Sequence, residues 1–260
     1  LEIRELATSI LRSESLEVKL RPPTGPLTDE FPGPPVRWPA PVRPAHLRIA
    51  PAREVKIPSI EGMADPRQRP RILHALANHE LQAAELFAWA LLAFADAAAD
   101  FRRGLAEILR DEQRHTRMYI ARLEACGGSF GDYPVSGYFW NKVDRLTSPL
   151  RFVCAMSLTF ENANLDHTVD YAAAARRAGD RKTAAVIERV HRDEIEHVRF
   201  GWRWLRLLKS DEQSMWEAFR THLAWPLRPA KAKGRRFYRR GREAADLDAD
   251  FIRRLEESRL

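Results

Sequence analysis

Arg110-Asp-Glu-Gln-Arg-His-Thr-Arg117 and Arg192-Asp-Glu-Ile-Glu-His-Val-Arg199 are two copies of one octet, Arg-Asp-Glu-x-x-His-x-Arg, one in each half of the chain. On a helix, residues three apart differ by about 60° in direction and about 4.5 Å in height. Glu112 with His115, and Glu194 with His197, can therefore each grip one metal ion together. Two copies imply two half-sites.

Helical bundles that hold two metals add one Glu from each of two further helices, and the chain supplies both. Glu80 precedes Glu112, and Glu161 precedes Glu194, by almost the same interval. A hairpin with arms of about 25 to 30 residues brings positions that far apart to similar heights on antiparallel neighbours. The expected ligands are Glu80, Glu112, His115, Glu161, Glu194 and His197.

Each falls on an apolar stripe. Leu73, Leu76, Ala77, Glu80, Ala84, Phe87 and Leu91 share one face of a helix expected from about Arg67 to Ala95. The second helix, from about Phe101 to Ala125, carries Leu105, Ile108, Glu112, His115, Tyr119 and Leu123, and Gly127-Gly128 ends it. Ser148-Pro149 starts a third, with Cys154, Leu158, Glu161, Leu165 and Thr168 inward and Gly179 as its end. Asp180 caps a fourth, with Ile187, Val190, Glu194, His197 and Leu205. Glu85 lies about 140° round the helix from Glu80, on a mixed face, and is the fallback ligand or a supporting residue.

His74-Ala-Leu-Ala-Asn-His-Glu80-Leu-Gln-Ala-Ala-Glu85, the two octets and Phe160-Glu161-Asn-Ala-Asn resemble the ferritin-like di-iron carboxylate proteins, and specifically the family of domain of unknown function 455. Rubrerythrin-like proteins and di-iron tRNA hydroxylases belong to the same superfamily. The resemblance implies an all-α, ferritin-like four-helix bundle with a long crossover between its second and third helices. It implies two iron ions, or a manganese–iron pair, bridged by Glu112 and Glu194, with Glu80 and Glu161 as terminal ligands. It also implies that Asp111 holds His197 and Asp193 holds His115. No reaction comes with that family.

Four buried carboxylates would repel one another strongly, and a pair of divalent cations is the simplest neutraliser. The bland alternative is salt bridges to Arg110, Arg117, Arg192 and Arg199. Carboxylate and imidazole suit iron or manganese, whereas structural zinc would call for thiolates. Asn164, three residues after Glu161, is a candidate donor to the same metal's ligands. His191 and Tyr119 are candidates to line the site, against the reading that each is a hydrogen-bonded core residue.

Composition bounds the rest. At 260 residues and 45% hydrophobic the chain supports one bundle with appendages: an N-terminal helix and arm over 1–66, the bundle over 67–210 and an extension over 211–260. Thirteen of the 17 prolines fall between Pro22 and Pro70, which marks an extended arm. Phe31, Val36, Trp38, Leu47, Ile49, Val55 and Ile57 are its expected anchors, on the bundle or on the neighbour in a homodimer. Two cysteines, no run of eighteen apolar residues and no secretory leader point to a cytoplasmic protein with no membrane partner. The net charge of +7 is concentrated between Arg228 and Arg242, where eight basic residues and no acid occur, leaving about −1 elsewhere (7 − 8).

The functional expectation is an enzyme, an oxygen-dependent oxidase or hydroxylase acting on a small-molecule substrate with an external reductant. Within the loop from Gly127 to Thr147, the stretch from Asp132 to Asn141, with Tyr133, Tyr138 and Trp140, is the candidate lid. Iron storage or peroxide detoxification is the alternative. A third reading gives the oxygen chemistry an RNA substrate, held where Arg235, Arg236, Phe237, Tyr238, Arg239 and Arg240 interleave cations with rings, against the plain reading of a solvated basic segment.

Overall fold

Helices are the only regular elements among residues 1–259, which the computed structural model describes; two isolated β-bridges, Glu2 with Thr28 and Ile49 with Val135, are the sole extended pairings there. The all-α expectation holds. Among the described residues no helix is long and apolar enough to cross a membrane. The chain divides into two units, Leu1–Asp144 and Arg145–Leu260.

The first unit is built on a hairpin of α3 (Arg69–Ala93) and α4 (Ala99–Ala125). Pro70 sits in the first turn of α3, where its missing N–H costs nothing. From Leu81 to Ala93 every residue of α3 is buried, because alanine, leucine and aromatic side chains occupy all of its sides. Gly127, at φ +81°, ends α4, and the Gly128 N–H returns to the Leu123 carbonyl at 3.1 Å. A β-carbon would disfavour that left-handed turn.

Before the hairpin come α1 (Ile3–Arg12), packed on α3, and a short α2 (Leu16–Leu20) that its sequence does not advertise beyond the capping Ser15. The arm that follows is extended, as its prolines require, and only some of the expected anchors are buried. Phe31 is 71% exposed and Ile57 45%, while Leu47 and Met63 are fully buried. Polar groups do much of the fastening. Asp29 accepts two hydrogen bonds from the buried Arg102 at 2.7 Å, the Val36 N–H donates to the Leu92 carbonyl and the Val42 N–H to the Leu11 carbonyl. A proline-rich chain makes few bonds to itself, so its remaining main-chain groups find partners on the helices.

The candidate lid, Asp132 to Asn141, and the residue before it are hydrogen-bonded to α3. The Gly131 N–H donates to His74 Nε2, Asn78 Nδ2 to the Ser136 carbonyl, the Phe139 N–H to Gln82 Oε1 and Trp140 Nε1 to Glu85 Oε2, at 2.9 to 3.1 Å. His74, Asn78, Gln82 and Glu85 form one stripe of α3, so the mixed face of that helix exists to hold this loop. Burial pushes the His74 imidazole down to about 4, against an upward pull from Asp132. The unfolded chain then binds this proton more readily, so stability should fall as pH drops from about 6.5 toward 4. Denaturant titrations across that range should show a shallower slope in His74→Phe than in the parent.

The second unit opens with Ser148 capping the Arg151 N–H and Pro149 in the first turn of α5 (Pro149–Ala155). The expected continuous helix is interrupted by a π-helical turn, Met156–Glu161, before α6 (Asn162–Arg177). Asp180 caps α7 (Arg181–Leu208), the other arm of this hairpin. The extension begins with α8 (Met215–His222), which starts where Ser214 and Glu217 form a capping box. It ends in two short helices, α9 (Arg239–Ala244) and α10 (Ala249–Glu257), separated by Asp246 at φ 63°. Leu158, Val198, Trp202, Phe219 and Phe251 lie in the core that joins these helices.

Candidate metal centre

In the first unit, α3 and α4 bring Glu80, Glu112 and His115 together. His115 Nδ1 lies 3.8 Å from Glu80 Oε2 and 3.6 Å from Glu112 Oε2. In the second, the π turn supplies Glu161 and α7 supplies Glu194 and His197. His197 Nδ1 lies 3.9 Å from Glu161 Oε1 and 3.6 Å from Glu194 Oε2. Within each triad the three ligand atoms lie within 4.8 Å of one another, and all six residues are at most 4% exposed. The repeated octet thus produces two triads of matching geometry, both presenting the same imidazole nitrogen.

These donor sets fit a cation. Donors about 2.1 Å from one ion stand about 3 to 4 Å from each other, and the histidine-to-carboxylate distances fall in that range. Burying two carboxylates side by side without a counter-charge costs several kcal/mol per ion. The octet arginines do not supply that charge: Arg110 reaches Glu107, Arg117 the Leu20 carbonyl, and Arg199 Glu196 and Asp246, while Arg192 is exposed. The salt-bridge alternative therefore has no support among the described residues.

The surroundings orient the ligands. Asn164 Nδ2 donates to Glu194 Oε1 at 2.9 Å, while Glu194 Oε2, facing His197, accepts no hydrogen bond. Thr168 gives its hydroxyl proton to the Asn164 carbonyl at 2.6 Å, so His191 Nδ1, 2.8 Å from that hydroxyl, must carry a proton and donate to it. Burial lowers the His191 pKa against the opposing pull of Glu194. Tyr119 is buried four residues after His115. Asp111 pairs with Arg114 at 2.7 Å and Asp193 with Arg189 at 3.1 Å, each on its own helix.

Glu85 is occupied elsewhere. Lys19 at 3.1 Å, Arg43 at 2.6 Å and Trp140 at 3.0 Å converge on its carboxylate, and both cations are buried with it. Most of the residues suggested as a nucleic-acid contact are engaged within the second unit. Phe237 lies against the Arg242 guanidinium at 4.0 Å, Tyr238 donates to Asp170 at 2.8 Å, Arg236 stands 3.7 Å from Asp170, and Arg239 pairs with Glu256. Arg235 and Arg240 are exposed.

The π turn that carries Glu161 was not foreseen. Such turns add a residue to the helical circuit and recur at functional sites. Here the Thr159 hydroxyl bonds the Cys154 carbonyl at 2.7 Å, and Gly201 of α7 admits the turn. The signal available was a glycine inside a helix of 28 residues. A β-carbon on Gly201 would stand 2.3 Å from Ser157 Cβ. Gly201→Ala should therefore cost about 1 to 3 kcal/mol in denaturant unfolding, and metal titration should show the second triad weakened and the first unchanged.

A family model described as "Protein of unknown function (DUF455)" matches residues 4–253. No curated protein and no solved structure matches the chain.

Proposed function

The chain belongs to the DUF455 family, whose description carries no reaction, and from its own residues we propose a dinuclear non-heme metal oxidoreductase that activates dioxygen to oxidise or hydroxylate a small organic substrate. The observation that carries this reading is the pair of equivalent buried triads, Glu80, Glu112, His115 and Glu161, Glu194, His197. One metal per triad, iron in both or manganese in one, suits a donor set of carboxylate and imidazole without thiolate. The ferritin-like bundle is part of the same proposal. Held by these six residues, a bound pair of such ions would supply two-electron reduction of dioxygen, with the substrate as the other two-electron donor and an external reductant as the source of the metal's electrons.

The protein's own part is positioning and exclusion of water. His115 and His197 present Nδ1 toward paired carboxylates, and Asn164 fixes one oxygen of Glu194 so that the other faces the ion. The low exposure of all six ligands keeps competing water out of the site. The RNA reading is the second choice, because Phe237 stacks on Arg242 and the Tyr238 hydroxyl bonds Asp170.

Anaerobic loading with ferrous iron should give about two ions per chain. Mixing with oxygen should then produce a transient absorption band, and excess iron should not accumulate. A protein that refuses ferrous and manganous ions removes the reading. Iron retained far beyond the two sites would instead establish storage.

A further inference from the structure

A different face of α3 borders a shallow, open surface cleft between that helix, the segment around Lys56 and the loop around Tyr133. Lys56, Arg71, His74 and His79 line it and no acidic residue does. Asp132, which acts electrostatically on His74, instead accepts the Ser129 N–H. Part of the wall is apolar: Val55, Ile57 and Pro134. No ligand of either triad takes part.

The polar side of the cleft is held in place. The Arg71 guanidinium lies 4.9 Å over the Tyr133 ring, and the His74 ring meets the same tyrosine edge-on at 5.3 Å. His74 is 2% exposed and accepts the Gly131 N–H at Nε2. In the neutral ring the proton therefore sits on Nδ1, which makes that nitrogen the donor. Burial keeps this imidazole neutral at physiological pH. The cleft thus combines two cations, one neutral ring donor and a short apolar wall, a set that matches an anionic head on a small carbon body.

We propose that this cleft binds a small organic carboxylate, its charge met by Arg71 and Lys56, one oxygen accepting from His74 Nδ1, and its carbon body against Val55, Ile57 and Pro134. The proposal stands apart from the metal reading and is tested without it. Calorimetric titration uses metal-free and metal-loaded protein, with butyrate as probe, butyramide as its uncharged counterpart and inorganic phosphate as the competing anion.

Butyrate should saturate with a Kd on the order of 1 mM in both forms, and butyramide should not. The Gly131 amide resonance should move with the same midpoint. Lys56 and Arg71 are exposed, so the double variant Lys56→Gln, Arg71→Gln should keep its melting temperature and bind butyrate at least about tenfold more weakly. Equal binding of butyramide, unchanged binding by the folded double variant, or binding of phosphate without butyrate would each overturn the proposal. The comparison of acid with amide decides the matter even if the double variant unfolds.

Discussion

Glu112→Gln and Glu194→Gln should each abolish metal binding at their triad and, in the same protein, raise the stability of the metal-free form. Each triad buries two carboxylates against one imidazole, while three octet arginines are engaged elsewhere and Arg192 is exposed. Exchange for the isosteric amide removes one like charge and keeps the packing. Relief of such a functional strain is commonly worth about 0.5 to 2 kcal/mol. With metal present the order inverts, because a ligand at a thousand times its dissociation constant stabilises the folded state by about 4 kcal/mol, and the variants forgo it. Denaturant midpoints with and without ferrous or manganous ion read both effects. A metal-free Glu112→Gln protein clearly less stable than the parent would mean that the carboxylates are structural.

Glu85→Ala should be the most damaging single change in the first unit. Two buried cations, Lys19 and Arg43, share this one carboxylate, and its removal leaves both uncompensated. Breaking a buried pair from one side costs about 3 to 5 kcal/mol. The loop would also lose the Trp140 bond and the arm its main cationic anchor. Lys19→Met should be far milder, within about 1 kcal/mol, since Arg43 and Glu85 then remain as a neutral pair. Unfolding curves for the two variants should separate accordingly. Similar losses in both would show that helix packing, not charge, is what the cluster supplies.

These two clusters mark where the sequence is legible. Glu112 with His115, and Glu194 with His197, are read directly because a spacing of three on a helix fixes their relation locally. Glu80 and Glu161 are reached only through the near-equal intervals that separate them from Glu112 and Glu194, which substitutes repetition for geometry. Helix ends at Ser148, Asp180 and Gly127 follow from capping chemistry. The partners of Glu85 do not, because Lys19 and Arg43 lie far upstream of it, the second of them in a segment whose prolines signal only extension. Nor does the π turn, which depends on how closely Gly201 lets α7 approach Ser157. The fastening of the candidate lid was illegible for a related reason: bonds from one stripe of α3 to a distant loop leave no periodic trace in the loop itself.

The last arginine of each octet, just past the ligand histidine, reaches an appendage. Arg117 bonds the Leu20 carbonyl of the leading segment, and Arg199 bonds the Ala244 carbonyl and Asp246 of the trailing one. Each copy of the repeat therefore carries its own fastener beside its own ligand set. Anyone trimming the chain to residues 67–210 would cut both fastenings at once, within a turn of His115 and His197. The smallest piece worth expressing thus keeps both ends, and the flanks belong to the hardware of the site rather than to its packaging.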